Sequence, residues 1–515
     1  MPTHHQPRQV SLASYDGRQM YLGDLHNHCG ISYGHGSIED AFTNARLQLD
    51  FGTVTGHAWW HDIPEGVPEA AAAVAYHQAG FKRLADQWDH VQQVTADAHT
   101  DGEFVSFLSF EWHSSAHGDH CIYYNGPHGE IIRGATLADL HGELRRLRAS
   151  GVATMAIPHH LGYLTGRRGA NWDTFTAEFS PVAEIMSMHG CGESDDAPRP
   201  YLHTMGPRHT ANTALAGLLR GHRFGVIGST DHHSAHPGSF GHGRAAVWAP
   251  DLSRDSLWQA IQQRRTYAVT GDPIILGVEV NGTPMGGETP RAAGYDIAVQ
   301  VQGEAPIDYV EVLRNGELVA RTDPTRPTTT SGPFSGVVPF NVGWGHLDRG
   351  DHPWDVELTV TGGELVDVTP RLRGEDIVMP SDDAPAEYQF TDWGRVGEHG
   401  IRLRTSTHGN ANVVTDGTQG LNLHLTGDDA TVVDAVVNGQ HSRHRLGDLR
   451  HGSQENYLAE FLTPVYRFGR AVAAEELAAG LELAGIAAEP GDFFHVRVRQ
   501  TNDQWAWSSP VWVGA

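Results

Sequence analysis

The sequence predicts an α/β fold: a β/α barrel with metal ligands at its strand ends, followed by an antiparallel β-sandwich. Three observations carry this. Six short apolar runs in the first half, at 21–25, 52–55, 104–110, 153–157, 183–186 and 224–228, each end in histidine or an acid. The stretches between them have helical periodicity. Beyond residue 272 the pattern changes to short alternating runs with turn residues between them. Runs of this length bounded by Gly or Pro read as buried strands, and barrels of parallel strands place reactive side chains where strands end.

Taken in order, residues 1–19 form a polar tail, and His4 and His5 within it have no assigned role. The barrel is expected over 20–272. Between its strands, Ser37 can cap a helix running to Leu49 with Ala41, Phe42, Ala45 and Leu49 on one face. Helical stretches are also expected at 68–98, 137–147, 210–219 and 254–263. Alternating strand and helix implies a parallel sheet with crossover helices, closed or nearly so. The sandwich is expected over 273–515, with strands at 274–280, 296–301, 309–314, 355–360, 400–405 and 494–500. Asn281-Gly282 and Asn315-Gly316 supply turns, one helix is expected at 473–484, and 325–331 and 380–385 read as exposed loops.

The strand-end residues have the chemistry of metal ligands. Neutral imidazole suits Zn, Fe, Mn or Co, and a few carboxylates hold charge and bridge ions. Side chains at i and i+2 of a strand share a face, so His26 and His28, and Asp231 and His233, can each aim two ligands at one point. Roughly ten candidate ligands imply two or three divalent ions rather than one. Of the 34 histidines, 25 fall within residues 1–272 and nine in the remaining 243. Compositional bias alone would spread them evenly.

Composition sets other bounds. A chain of 515 residues exceeds one core. With 36 basic against 62 acidic residues, the net charge of −26 argues against nucleic acid or an anionic membrane as partner and leaves a small-molecule substrate. Lys82, the single lysine, sits in an expected helix, so Schiff-base chemistry is not expected. Cys29, Cys121 and Cys191 form no disulfide framework, and the start carries no apolar leader, which together suggest a cytoplasmic protein. Cysteine is expected to play little part in the site. Oligomeric state is open.

Leu25-His26-Asn27-His28, Thr55-Gly56-His57, Phe110-Glu111, Pro158-His159-His160 and Gly228-Ser229-Thr230-Asp231-His232-His233 resemble, in order, the motifs of the PHP (polymerase and histidinol phosphatase) superfamily over about residues 20–272. The segments Arg264-Arg265-Thr266-Tyr267-Ala268-Val269-Thr270-Gly271 and Ala506-Trp507-Ser508-Ser509-Pro510-Val511-Trp512 look like a bacterial branch with a C-terminal β-sandwich. The resemblance implies a distorted (β/α)7 barrel with a trinuclear centre and phosphoesterase activity. By motif, His26, His28, Glu111 and Asp231 would hold one metal. Glu111 would bridge to a second, held by His120 and by His159 or His160. His57, His233 and His35 would hold a third.

Two cations bridged by a carboxylate lower the pKa of a shared water and stabilise charge on attacking and leaving oxygens. His160, His232 and His117 are the candidate proton donors, and Asp119 could serve as acid or as partner to a ligand. Arg167 and Arg168 follow a strand end closely enough to clamp a phosphate oxygen. Trp59, with Trp60 and Trp112, could wall a substrate pocket, or simply pack. Asp24 could orient a ligand, and His113 and His189 could touch metal or substrate. The leading expectation is a metal-dependent phosphoesterase acting on a small phosphorylated molecule; the alternative is hydrolysis of a lactone, ester or amide at the same centre.

Overall fold

The computed structural model describes residues 8–201, 206–324, 331–344, 351–375, 390–408, 417–460 and 463–514. His4 and His5, the expected loop at 380–385, and residues 325–330 of the other lie outside the described residues.

The expected helices form at Ile38–Arg46, Ala71–Asp86, Trp88–Asp97, Leu137–Ala149, Ala214–Leu219 and Arg254–Gln262. Ser37 caps the first through a reciprocal box with Asp40, each side chain taking the other residue's backbone N–H. The strands of the first half are β1 (Gln19–Asp24), β2 (Phe51–Gly52), β3 (His57–Trp60), β4 (Val105–Ser106), β5 (Leu108–His113), β6 (His120–Tyr124), β7 (Thr154–Pro158), β8 (Val182–Ser187), β9 (Gly190–Cys191), β10 (Gly225–Gly228), β11 (Arg244–Ala249) and β12 (Thr266–Val269).

A closed (β/α)7 barrel is not what these strands make. They divide among three sheets: β12-β11-β1-β2-β4 within a larger sheet, β3-β5-β6-β7, and β10-β8-β9. Parallel pairing joins β1 to β2, β2 to β4, β3 to β5 and β8 to β10, whereas β1–β11, β11–β12, β5–β6 and β6–β7 run antiparallel. Between β5 and β6 the reason is length. A parallel pair needs a crossover of about a dozen residues or more, and the short link after His113 permits only a hairpin.

After residue 272 the chain does two things. The strands Phe334–Trp344, Glu364–Arg371, Gln419–Gly427 and Val465–Phe468 belong to one antiparallel sheet, and Asp351–Thr361, Gly400–His408, Val432–Val437 and Gln440–Arg445 to another. Their apolar residues, among them Phe340, Val356, Leu403, Leu423 and Tyr466, share a core of their own. By contrast, Val278, Ile297, Val310, Phe494, Val496 and Val511 share a core with Leu22, Phe42, Phe110 and Trp248 of the first half. Trp505–Ser508 pairs antiparallel with β12, matching Ala268 to Trp507. The hydrophobic cores thus divide the chain differently from a single boundary at 272.

The turns Asn281-Gly282 and Asn315-Gly316 take positive φ at both residues, as a hairpin twisted with its strands requires. The helix expected at 473–484 is corrected: only Ala474–Leu477 is helical, and Ala478–Ile486 is a strand paired with Tyr295–Gln302. Gly480 and Gly485 weaken a helix there, and Leu481 and Leu483 alternate onto one face. Among the described residues no helix is long and apolar enough to cross a membrane.

One buried ionic knot ties the two ends of the first core. Glu193, just past β9, accepts from His495 Nε2 at 3.2 Å, Arg497 Nη1 at 3.2 Å and Trp507 Nε1 at 3.0 Å. Removing one member of a buried pair strands the other's charge. Glu193→Ala should therefore cost ~3 kcal/mol, read as a lowered urea midpoint, with Glu193→Gln milder because it keeps an acceptor. An unshifted midpoint would show that the knot contributes nothing.

Candidate metal centre

β1 leads into Leu25-His26-Asn27-His28 and β10 into Ser229-Thr230-Asp231-His232-His233. Backbone bonds zip these loops together: His28 N–H donates to His232 O at 2.7 Å, Asp231 N–H to His26 O at 2.7 Å and Ala235 N–H to His28 O at 3.1 Å. Beneath them the buried Asp24 carboxylate accepts from His26 N–H at 3.1 Å, Thr230 N–H at 3.0 Å and Gly238 N–H at 2.8 Å. One carboxylate therefore positions both loops.

β5 and β6 bring the next set. With period two, Glu111 and His113 share a face with Cys121 and Tyr123, while Trp112 shares the opposite one with His120 and Ile122. Tyr123 O–H donates to Leu25 O at 2.6 Å, so the first face looks toward β1.

On that face the donor atoms crowd. His28 Nε2 lies 3.1 Å from His26 Nε2 and 3.0 Å from Asp231 Oδ1, and His26 Nε2 lies 3.3 Å from the same oxygen. Glu111 spans two neighbourhoods, with Oε1 2.8 Å from His159 Nε2 and Oε2 2.6 Å from His57 Nδ1. His113 Nε2 sits 3.1 Å from His57 Nδ1, and His189 Nε2 2.6 Å from Asp231 Oδ2. His160 lies between two acids, 3.4 Å from Asp119 and 3.4 Å from Asp231. His233 Nδ1 must donate to Asp231 O at 2.8 Å, leaving its Nε2 as a lone pair beside the His28 ring.

Electrostatics match a set of ligands. Burial alone would raise the carboxyls, but His113 and His57 hold Glu111, His26 and His189 hold Asp231, and Arg168 holds Asp119 well below the usual range. Burial pushes His57 and His159 well down, and His233 to about 3, so these imidazoles are neutral. His160 differs: burial would lower it, yet Asp119 and Asp231 hold it above the ordinary histidine value. Burial pushes Glu184 up to about 7 against the pull of His26. Its Oε2 lies 2.9 Å from His26 Nδ1, which turns His26 Nε2 toward the cluster.

The residues fit divalent metal. Ligands about 2.0–2.1 Å from a tetrahedral ion stand about 3.3 Å apart, and the His26, His28 and Asp231 atoms are separated by 3.0 to 3.3 Å. Donor triads with all atoms within 4.8 Å recur at His26, His28 and Glu111, at His28, His57 and His233, at His57, Glu111 and His113, and at Asp119, His159 and His160. His57 Nε2 and His28 Nδ1 are buried without a hydrogen-bond partner. Backbone strain gathers here as well: His160, Arg168 and Asp231 have φ of 57°, 67° and 52°. Such conformations cost on the order of 1–3 kcal/mol each and persist where surrounding structure enforces them.

Of the residues expected from sequence, His26, His28, His57, Glu111, Asp119, His159, His160, Asp231 and His233 come together. Others do not. His120 faces outward on Trp112, with Nδ1 on Gly118 O at 2.9 Å, and His113 occupies the cluster instead. His232 turns toward His236 and His242, because its neighbours Asp231 and His233 take the inward face. His117 is bound outside, 3.2 Å from Thr174 Oγ1. His35 reaches the site through its backbone, donating to His233 O at 2.8 Å. Arg167 is exposed. Arg168 enters the site, donating to Asp119 Oδ2 through Nε at 2.7 Å while lying over Trp60. Trp59 instead donates to Gly134 O at 2.9 Å and packs on the core. Sequence reasoning missed Glu184, whose signal was a lone acid inside an otherwise apolar strand, and Tyr33, stacked 3.6 Å over His57. Cys121, for which the sequence suggested no role in the site, lies with its Sγ 3.7 Å from His159 Nδ1.

No family model matches the chain. An uncharacterized protein of Chlamydia muridarum is 33% identical over 166 residues, covering 29% of this chain and 27% of that one. One of Chlamydia trachomatis is 32% identical over 168 residues with the same coverage. One of Chlamydia pneumoniae is 23% identical over 261 residues, covering 45% of this chain and 40% of that one. The chain thus spans about a quarter of the length of the first two relatives. Among solved structures, a two-domain Bacteroides vulgatus protein containing a predicted PHP-like metal-dependent phosphoesterase superposes with TM-score 0.31 at 13% identity, covering 60% of this chain and 83% of that one. A lesion-specific endonuclease of Pyrococcus furiosus gives TM-score 0.28 at 12% identity, covering 47% and 56%. Scores this low carry no functional weight, so the chemistry must be argued from the cluster.

Zinc or manganese at about a hundred times its dissociation constant should stabilise the chain by ~2.7 kcal/mol per site over the chelated protein. Asp231→Ala and His26→Ala should each lower the metal content found by elemental analysis while keeping the β-sheet circular dichroism. Full metal occupancy in both variants would remove these residues from the ligand set.

Proposed function

We propose that this chain is a metal-dependent hydrolase, with a small phosphate ester as its preferred substrate. The observation that carries the reading is the convergence of His26, His28, Asp231 and Glu111 in a buried site, with donor atoms 3.0 to 3.6 Å from His28 Nε2. In this reading His26, His28, Glu111 and Asp231 hold one ion, and Glu111 bridges to a second with His159 and His113. His57 and His233, with His35 nearby, complete a third. Divalent ions held there would supply an activated water and a Lewis acid for the ester oxygens.

The remaining groups divide the other work. Arg168 is a cation beside the carboxylates, and Asp119 fixes its direction, so a non-bridging phosphate oxygen has a planar donor to meet. His160, flanked by Asp119 and Asp231, is our candidate to give a proton to the leaving oxygen. His189 and Glu184 hold Asp231 and His26 in position.

Arg168→Ala should raise KM for a phosphate ester and lower kcat/KM about thirtyfold, near 2 kcal/mol for one charged hydrogen-bond partner. Arg167→Ala should change neither. Phosphate or vanadate should compete in the low-millimolar range, roughly −4 kcal/mol of binding. A panel of a phosphomonoester, a dinucleotide diester and a lactone decides between substrates: turnover of the lactone alone, without phosphate inhibition, would replace the phosphoesterase reading by carbonyl hydrolysis at the same centre.

A further inference from the structure

β6 presents its second residue, Cys121, to the floor of the cluster, in register with Glu111 of β5. The thiol is fully buried, as are the other two cysteines, Cys29 and Cys191. Cys121 differs from them in its surroundings. Its Sγ, a nitrogen of His26 and a nitrogen of His159 all lie within 4.8 Å of one another. The His26 and His159 rings lie against each other, with centroids 4.1 Å apart.

The spacing fits coordination. A tetrahedral zinc with sulfur at about 2.3 Å and nitrogen at about 2.0–2.1 Å sets those two ligands about 3.6 Å apart. Cys121 Sγ and His159 Nδ1 are 3.7 Å apart. With metal at Nδ1, His159 keeps its ring proton on Nε2 and donates it to Glu111 Oε1, 2.8 Å away, so that carboxylate fixes the ring for this position. This triad contains no carboxylate, so its donors are softer than those of the neighbouring groups.

We infer that Cys121, with His26 and His159, forms an alternative, sulfur-containing metal position within the cluster, filled in exchange for the share of those two imidazoles in the neighbouring ions, which makes the positions of the centre chemically unequal. The inference rests on the metal-hydrolase reading above and adds a selection rule. Thiolate and imidazole favour Zn, Fe(II) or Co over Mn and Mg, whereas the positions around Glu111 and Asp231 accept harder ions. Binding converts the thiol to a thiolate with release of its proton to solvent, as a coordinated cation requires. Manganese alone should leave this position empty.

The test is spectroscopic and uses the full chain, stripped with a chelator and titrated with cobalt(II). A sulfur-to-cobalt charge-transfer band in the near ultraviolet should appear together with the visible ligand-field bands. Cys121→Ser should lose the first and keep the second. If that variant fails to fold, Cys29→Ser and Cys191→Ser, each retaining the charge-transfer band, assign the sulfur by elimination. Ligand-field bands without charge transfer in the unaltered chain would overturn the inference and leave the hydrolase reading standing. No cobalt spectrum at all would overturn both, and a charge-transfer band lost with Cys29 or Cys191 would assign the sulfur elsewhere.

Discussion

The rest of the molecule is arranged around an excess of lone pairs. Asp231 and Glu111 are buried carboxylates, and the imidazoles that meet them are mostly held neutral by burial. Acceptors about 3 Å apart in low dielectric repel unless something positive stands between them. Asp119 and Asp231 favour a proton on His160, and Arg168 supplies positive charge at the edge. Divalent ions would supply it at the centre. A cluster of this kind gains nothing for stability alone, since buried charged groups are commonly matched or bettered by apolar packing of equal volume.

Holding such a cluster requires a rigid frame, and the frame is unusually non-local. The loops after β1 and β10 are bound to each other through backbone pairs and to one carboxylate, Asp24. β5 and β6 contribute Glu111, His113 and Cys121 from one face of a hairpin. The positive φ at His160, Asp231 and Arg168 is held by these surroundings rather than by local preference.

Much of this was legible in the sequence, for stated reasons. Strand-end histidines and acids named His26, His28, His57, Glu111, His159, Asp231 and His233 because apolar runs stop abruptly at reactive residues. Ser37, Asn281-Gly282 and Asn315-Gly316 were legible because caps and tight turns depend on adjacent residues only. What failed was whatever depended on pairing. His120 and Cys121 are neighbours, and register with β5 alone decides which of them faces inward. The sequence reading had no strand at 120–124, and β6 enters there as an antiparallel strand between β5 and β7. Alternation over 478–486 was misread as a helix because a short helical turn, Ala474–Leu477, with Glu475 and Glu476 in its first turn, precedes it. Glu184 stood out in sequence as a lone acid in an apolar strand, but its partner His26 became visible only through the packing of β8 against β1's ligand loop.

The pairing of Trp505–Ser508 with β12 has a consequence for how the chain is made. Ser509 Oγ donates to Thr266 O at 2.6 Å across a sequence separation of 243. During synthesis the strand that carries the first half's sheet onward must therefore wait, its edge open, while the sandwich of residues 334–473 is completed ahead of its partner. An unpaired edge on a nascent chain invites the wrong strand, and long-range pairing is slow. The sandwich, whose strands find their partners within residues 334–473, can fold during that delay as a unit and bring the two distant segments toward each other. Until Trp505–Ser508 arrives, the β12 edge is the part of the first half's sheet most open to mispairing.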